Sequence, residues 1–297
     1  MHKFSLLFIA ILFTLAPLQG QTKKNEIQVT THVYKDTLDL DFYTLKTERA
    51  NKKRPLVVLL YGGGFVGGRK DGPGEVKFSQ TMASFGYAAV SINYALTRKG
   101  TTSGFGCDCP TVEKMETFKH ATQDVIDAVT FLKKGDFNFD PDQIILVGSS
   151  AGAEAVLNAA YQRRHPFYRE IFPDDFKVAA VVGFSGAITD ARYITQDDAV
   201  PGMFIHGEDD DVVPYGTEPH HFCGNETAGF FMLDGSKSIV EKLKQLKTSY
   251  KLLHAPGGKH EWSGIGFRYT DEIHDFIQTV VVEKKVIKEE RLVTEND

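Results

Sequence analysis

The sequence predicts an α/β protein built on a mostly parallel sheet with helices on both faces. Short, continuous apolar runs recur along the chain, and segments with helical periodicity lie between them. Runs of this kind are typical of strands buried on both faces, and their alternation with helices favours a parallel sheet. The chain has 297 residues, 42% of them hydrophobic and 25% charged, which suits one large globular domain.

The first strands are expected to be antiparallel. Residues 27–45 alternate apolar and polar side chains, which predicts a hairpin or two short antiparallel strands. The continuous apolar runs predict the buried strands Leu56–Leu60, Ala88–Ile92, Ile144–Val147, Val178–Phe184 and Met203–Ile205, with Tyr250–Leu253 as a weaker candidate.

Helical patterns lie between these runs. Phe118, Ala121, Val125 and Leu132 recur at spacings of three and four, which predicts a helix ending near Gly135. Further helices are expected at about 153–162, 236–246 and 271–282. The segment 215–235 shows neither pattern, and long structureless loops are often functional. No internal repeat or linker divides the chain, so residues 21–282 are expected to form one domain.

The two ends of the chain differ from the rest. Residues 1–20 have a short basic start, an apolar stretch at 6–15 and small residues before Gln21, which predicts a signal peptide and export. An uncleaved membrane anchor is the alternative, although the apolar stretch is short for a span. Residues 283–297 carry many charges of both signs and are expected to form a solvent-exposed tail.

The net charge limits the kinds of binding partner that are expected, and the cysteines limit the disulfides that can form. The net charge is −5 and no dense Lys/Arg block is present, so nucleic acid is not an expected partner. An exported chain would keep its cysteines in an oxidising compartment. Cys107 and Cys109 are too close to bridge each other without strain, so one of them could pair with Cys223 and leave an odd thiol. Three buried free cysteines are the alternative, and their spacing does not suggest zinc.

A serine lies in a strand–turn–helix context. The predicted strand 144–147 runs into Gly148-Ser149-Ser150-Ala151-Gly152, and a helix follows. This G-x-S-x-G pattern is typical of a nucleophile elbow, in which a sharp turn lifts the serine above the sheet. The alternative is a Ser-rich helix cap. A serine nucleophile also needs a base and an orienting carboxylate.

Candidates for the carboxylate and the base follow later strands. The strand 203–205 leads into His206-Gly207-Glu208-Asp209-Asp210-Asp211, where four acids could be solvated, could bind calcium, or could include the carboxylate. A Gly-rich turn at 257–260 presents His260 as the base. His254 lies within a strand pattern and is expected to be structural. The adjacent His220 and His221 are not expected to share a metal.

The glycine-rich stretch LLYGGGFVGG at 59–68 allows two interpretations. Its glycines match the dinucleotide fingerprint G-x-G-x-x-G, but that loop should open a helix, and residues 69–74 are expected to break one. An acid should also end the next strand, where Asn93 and Tyr94 stand instead. A loop that offers backbone N–H groups to a developing oxyanion is therefore favoured.

Taken together, the motifs resemble those of the α/β-hydrolase superfamily, most closely its carboxylesterase/lipase-like members. Those proteins carry an HGGGF-type loop, G-x-S-A-G, HG-x-x-D-x-x-VP and a G-x-x-H turn, and this chain has YGGGF, GSSAG, HGEDDDVVP and GGKH in the same order. The resemblance covers nearly the whole chain from residue 38 to residue 260. It implies a catalytic triad and an oxyanion hole: Ser150, Asp210 and His260, with backbone N–H groups of Gly63, Gly64 and Ala151. Tyr61 replaces the usual His, as it does in cholinesterase-type members.

The resemblance also implies an activity. A secreted serine esterase that needs neither metal nor organic cofactor is expected, with acetylated or feruloylated polysaccharide fragments as candidate substrates. A peptidase or lactonase on the same fold and a non-catalytic binding protein are the alternatives. Segments 97–112 and 215–235 are expected to wall the site, with an apolar pocket from Phe105, Phe222, Phe230 and Phe231. Glu154 is expected to be buried, bonded to a loop backbone and without a catalytic role.

Overall fold

A computed structural model describes residues 26–46 and 53–296. The predicted signal peptide, residues 1–20, lies outside the described residues. Twelve strands are described: β1 (Ile27–Lys35), β2 (Leu38–Leu45), β3 (Leu56–Leu60), β4 (Ala88–Ile92), β5 (Ile144–Ser149), β6 (Ala180–Phe184), β7 (Ala187–Ile188), β8 (Gly202–Gly207), β9 (Thr217–Pro219), β10 (Met232–Gly235), β11 (Tyr250–Ala255) and β12 (Lys288–Leu292).

Nine of these strands form one sheet, in the order β1-β2-β4-β3-β5-β6-β8-β11-β12. β1 pairs antiparallel with β2, and β2 pairs antiparallel with β4. From β4 to β12 every neighbouring pair is parallel. The predicted fold class is therefore confirmed, including the antiparallel hairpin at the N-terminal edge and the mostly parallel centre.

Six α-helices are described: α1 (Pro73–Ser84), α2 (Thr111–Lys134), α3 (Ala151–Tyr161), α4 (Ser236–Gln245), α5 (Trp262–Ile265) and α6 (Thr270–Ile277). A π-helical turn, Gln278–Val282, continues α6. α1 was not predicted, because residues 69–74 looked like a helix breaker. Pro73 instead begins the helix, since its fixed φ suits the first turn and its missing N–H costs nothing there.

None of the helices within residues 26–46 and 53–296 is long and apolar enough to cross a membrane.

Alternate residues of each central strand face opposite layers of helices. In β3, Val58 packs in a cluster with α2, α3 and α4, whereas Val57 packs in a second cluster with α1 and α6. Both side chains are at most 1% exposed. This alternation follows from the strand geometry, and it explains why β3 reads as a continuous apolar run.

The charged C-terminal segment is not wholly a tail. Its residues 288–292 form β12, which pairs parallel with β11 at the edge of the sheet. Lys251 of β11 approaches Glu289 to 3.5 Å, and Val293 is 2% exposed. The segment therefore contributes an edge strand to the sheet, and its charged side chains stay mostly exposed because an edge strand pairs on one side only.

The segment 215–235 also has more structure than expected. β9 and β10 lie within it and form a small antiparallel sheet with β7, in the order β7-β10-β9. A disulfide joins this segment to the loop before α2: Cys107 is bonded to Cys223, with 5.3 Å between their Cα atoms. Cys109 is the odd thiol and is buried. Of the two alternatives for the cysteines, the single bridge is thus the one found.

Candidate active site

The turn between β5 and α3 positions Ser150. This residue adopts φ 51° and ψ −124°, a conformation that is rare for a residue with a side chain. The glycines on either side let the turn fit: a Cβ on Gly152 would lie 2.5 Å from the carbonyl oxygens of Leu60 and Tyr61. The pattern G-x-S-x-G therefore reflects the close approach of this turn to the end of β3.

Ser150, His260 and Asp210 come together through hydrogen bonds. Ser150 Oγ lies 2.8 Å from His260 Nε2, and His260 Nδ1 lies 2.9 Å from Asp210 Oδ2. Because a carboxylate only accepts, the Nδ1 atom must carry the imidazole proton. Nε2 is then free to accept the proton of the Ser150 hydroxyl. These contacts join residues 110 and 50 positions apart in the chain.

Asp210 is buried among donors. Its Oδ1 atom accepts hydrogen bonds from the backbone N–H groups of Val212 and Val213, each at 2.9 Å. Its Oδ2 atom lies 3.2 Å from His206 Nε2. Burial alone raises the pKa of a carboxyl, but the hydrogen bonds from His206 and His260 hold the pKa of Asp210 well below its usual range. Asp210 is therefore a carboxylate at neutral pH.

His206 is a contact that the sequence analysis missed. Its ring is fully buried, with Nδ1 2.8 Å from Ser236 Oγ and Nε2 3.1 Å from the carbonyl oxygen of Val213. Since that carbonyl and Asp210 only accept, Nε2 carries the proton and Nδ1 accepts from Ser236. The available signal was the HG-x-x-D motif, which places a histidine four residues before the acid.

The other acids of the cluster point elsewhere. Glu208 contacts His254 Nδ1 at 2.6 Å, and Asp211 contacts Lys259 at 3.1 Å. Asp209 is exposed, whereas Asp210 is 1% exposed. His254 lies in β11, as expected for a structural histidine. Within the described residues, no group of three or more His, Cys, Asp or Glu side chains could hold a metal ion.

The glycine loop after β3 lies against the same turn. A Cβ on Gly62 would lie 3.0 Å from the carbonyl oxygen of Ser149, so the two backbones are in close contact. Gly63 and Gly64 have φ angles of 119° and 59°. Among the described residues, no carbonyl accepts a backbone hydrogen bond from their N–H groups. Those donors are available to a ligand.

Tyr61 fixes this loop from below. Its ring is 2% exposed and lies 4.6 Å, centroid to centroid, from that of Tyr94. The Tyr94 hydroxyl donates to the Tyr61 carbonyl oxygen at 3.1 Å. The tyrosine in place of the usual histidine is therefore a packing residue that holds the loop at the end of β3.

A cavity of about 360 Å³ adjoins Ser150. Ser150, His260, Gly63, Gly64 and Ala151 all contribute to its wall. Asp210 is not part of the wall, because it contacts His260 from behind.

The expected apolar pocket is only partly present. Of the four phenylalanines, Phe105 lines the cavity and Phe231 lines a separate cavity beside β10. Phe230 is half-buried, and Phe222 is 46% exposed. The sequence places these rings in the right segments, but backbone turns decide which of them point inward. His221 and Phe222 both have positive φ, at 57° and 51°, and this turn directs the Phe222 ring into solvent.

Glu154 differs from its expected role. It is 2% exposed, but no side-chain hydrogen bond to a loop backbone is found within the described residues. Its neighbour is His220, whose Nε2 atom lies 3.5 Å from Glu154 Oε1. Both residues line the cavity.

Solved structures share this fold. Thermogutta terrifontis esterase 2, in its form phosphorylated by paraoxon, aligns with a TM-score of 0.61 and 14% identity over 88% of this chain and 96% of that one. A truncated carbohydrate esterase from gut microbiota aligns with a TM-score of 0.55 and 17% identity over 84% and 95% of the two chains. At such identities the likeness establishes the fold.

Curated relatives match parts of the chain. Methylphloroacetophenone synthase of Cladonia uncialis is 31% identical over 49% of this chain, dipeptidyl aminopeptidase BIII of Pseudoxanthomonas mexicana 33% over 37%, and gut esterase 1 of Caenorhabditis briggsae 30% over 43%. The matched regions are 6%, 14% and 22% of those proteins' lengths. This chain therefore corresponds to a small part of each.

The BD-FAE family model matches residues 40–192, which include the glycine loop, the strand–turn–helix around Ser150 and slightly more than half of the chain. The family match, the sheet order and the fold shared with these esterases together place the chain in the α/β-hydrolase superfamily. The chain belongs to the BD-FAE family.

Proposed function

We propose that this protein is a serine hydrolase of carboxylic esters that works through an acyl-enzyme. The observation that carries the proposal is the continuous hydrogen-bond chain from Ser150 through His260 to Asp210, at 2.8 and 2.9 Å. Family membership and the similarity to gut esterase 1 support it. The triad arrangement is what an otherwise weak hydroxyl nucleophile requires.

In the first half of the reaction, Ser150 Oγ attacks the ester carbonyl carbon while His260 Nε2 takes the hydroxyl proton. Asp210 stabilises the imidazolium that forms, because its charge lies 2.9 Å from Nδ1. The tetrahedral intermediate then collapses. The alcohol leaves with the proton from Nε2, and the acyl group stays on Ser150.

In the second half, water attacks the acyl-enzyme and gives its proton to His260. Collapse releases the carboxylic acid and returns the proton to Ser150. In both halves the negative oxygen would be held by the backbone N–H groups of Gly63, Gly64 and Ala151, which lie in the cavity wall beside Ser150. The N-terminal end of α3 adds a favourable dipole there.

The substrates and the compartment belong to the same proposal. An exported enzyme acting on acylated carbohydrates or on small aryl or alkyl esters fits a short apolar N-terminal segment and a Cys107–Cys223 bridge, which is typical of an oxidising compartment. The similarity to a dipeptidyl aminopeptidase keeps peptide hydrolysis as the second candidate. A non-catalytic role is disfavoured by the complete triad.

Turnover of p-nitrophenyl acetate and butyrate, together with fluorophosphonate labelling, tests the proposal. We expect saturable hydrolysis and a covalent adduct that peptide mass mapping assigns to Ser150. An aminoacyl p-nitroanilide serves as the amide control and should be turned over much more slowly. Faster hydrolysis of the anilide would favour the peptidase, and the absence of both turnover and label would exclude a serine hydrolase.

Substitution of Gly63 by alanine tests the glycine loop. A Cβ there would collide with the Gly67 carbonyl oxygen, and the left-handed φ of 119° is itself unfavourable for alanine. The loop must shift, and we expect kcat for p-nitrophenyl acetate to fall about 10²–10³-fold, as when one oxyanion donor is lost.

The matched control for this substitution is Gly67→Ala. A Cβ at Gly67 meets no atom within 4 Å, and its φ is not positive. This variant should stay within about threefold of the wild-type kcat, since nothing has to move. Equal losses in the two variants would show that general loosening of the loop, not donor geometry, is responsible.

A further inference from the structure

Glu154 and His220 are buried polar side chains in the cavity wall that perform none of the steps above. Glu154 lies one turn along α3 from Ser150, and its backbone N–H donates to the Ser150 carbonyl at 2.9 Å. Glu154 is 2% exposed and His220 is 1% exposed. Both contribute to the wall of the cavity that contains Ser150 and His260.

Each side chain has one polar atom that is buried without a hydrogen-bond partner in the described part of the chain. Glu154 Oε1 and His220 Nδ1 have none among the residues described. The two side chains approach each other to 3.5 Å, which is too long for a good hydrogen bond. Buried polar atoms without partners are rare in native proteins and costly, so two of them in side chains of one cavity wall point to a ligand that binds there.

Burial favours the uncharged forms of both side chains. Burial raises the pKa of Glu154 well above its ordinary value, and the nearby Asp210 charge acts in the same direction while Lys114 opposes it. Burial lowers the pKa of His220 well below its ordinary value. In those forms a carboxylic acid faces a neutral imidazole. Each group can donate one hydrogen bond and accept another.

His220 is held firmly in place. Its backbone N–H donates to the Phe231 carbonyl at 2.8 Å, and its ring packs against those of Phe105 and Phe118 at centroid distances of 5.1 and 5.9 Å. Three residues further on, Cys223 is bonded to Cys107. A polar wall that is ordered before a ligand arrives loses little entropy when it binds.

We propose that Glu154 and His220 form a subsite that hydrogen-bonds an uncharged hydroxyl group of the ester substrate. The inference rests on the proposed ester hydrolase function and narrows its substrates to hydroxylated esters, such as partly acylated polyols or esters of hydroxy acids. A hydroxyl donates and accepts, as the pair does. An analogue with a methyl group in its place leaves both side chains unpaired, so the site discriminates against it.

Two matched pairs of esters test the subsite, each pair differing by hydroxyl against methyl. On the alcohol side the pair is 2-hydroxypropyl butyrate and 2-methylpropyl butyrate. On the acyl side it is ethyl 3-hydroxybutyrate and ethyl 3-methylbutyrate. We expect the wild-type kcat/KM to favour the hydroxyl member about tenfold or more in at least one pair, the effect of one hydrogen bond to a buried group.

Variants assign that preference to the pair. Glu154→Gln keeps a neutral donor and acceptor and should keep most of the preference, whereas Glu154→Met and His220→Leu should abolish it. Glu241, on the exposed face of α4, provides the matched controls Glu241→Gln and Glu241→Met, which should keep the wild-type ratio. Thermal unfolding verifies that each variant is folded.

The outcomes separate the two proposals. A wild-type ratio near one in both pairs, or an unchanged ratio in a folded Glu154→Met, would overturn the subsite while leaving ester hydrolysis intact. The comparison of ester pairs with the wild-type protein does not depend on whether any variant folds. If butyrylcholine is preferred over 3,3-dimethylbutyl butyrate and the hydroxyl esters are not, the subsite binds cations and the hydroxyl proposal is wrong. No Ser150-dependent turnover of any ester would refute the proposed function and the subsite with it.

Discussion

Replacing Ser150 by alanine is expected to lower kcat for p-nitrophenyl acetate by about 10⁶-fold and to abolish fluorophosphonate labelling. The substitution removes only the hydroxyl group, whose Oγ atom lies 2.8 Å from His260 Nε2. Alanine should be tolerated at this position, because its side chain is smaller and the strained backbone is held by a hydrogen bond from Ser150 N–H to the Phe184 carbonyl at 2.9 Å. Rates come from stopped assays with purified protein.

Ser149→Ala is the matched control, since it removes a neighbouring hydroxyl of the same motif. Ser149 Oγ donates to the Ser263 carbonyl oxygen at 2.9 Å, whereas it is the Ser150 hydroxyl that hydrogen-bonds to His260. We expect kcat to fall by no more than about tenfold and labelling to persist. Comparable losses in the two variants would mean that the turn, not the Ser150 hydroxyl, had been damaged.

Replacing Asp210 by asparagine is expected to lower kcat by about 10⁴-fold with little change in KM. An amide in this position can donate to Nδ1 of His260, which leaves the proton on Nε2 and removes the acceptor that Ser150 requires. It also removes the charge that stabilises the imidazolium. The comparison is kcat and KM for p-nitrophenyl acetate, with thermal unfolding as a measure of folding.

Asp209→Asn controls for the loss of one negative charge from the same loop. Asp209 is exposed, so its field at His260 is screened by water, and its kcat should stay within about threefold of wild type. A loss of 10²-fold or more in this variant would indicate that the charge of the whole acidic cluster matters. In that case the proposal that Asp210 alone orients and stabilises His260 would be wrong.

The parts of the fold that could be predicted are the elements whose residues all lie in the same kind of environment. β3 and β5 are buried on both faces, so their apolar runs appear directly in the sequence. α1 was missed because Pro73 and two glycines near its start are turn residues in most contexts. β9 and β10 are short and belong to a second sheet, and their pairing with β7 is not local in sequence.

The candidate-site residues that could be predicted are those whose positions in the chain are specified by a sequence motif. Ser150, Asp210 and His260 each stand at a fixed place after a strand, and parallel strands deliver those places to one edge of the sheet. His206 was not assigned a role, because the motif places a histidine before the acid but does not show that the two side chains touch. No pattern marks Ser236, which contacts His206 from another element. The proximity of Glu154 to His220 depends on a loop with positive φ angles that sequence alone does not determine.

β12 has a consequence for the behaviour of the protein at high concentration. Without it, β11 would present a bare edge of backbone donors and acceptors, with which another chain could pair. The strand that covers it carries Lys288, Glu289, Glu290 and Arg291, and Glu290 and Arg291 pair with Lys244 and Glu272 respectively. An incoming strand would have to bring its own side chains against this row of charges. The charged C-terminal segment therefore disfavours edge-to-edge aggregation at the edge of the sheet that lies opposite the hairpin.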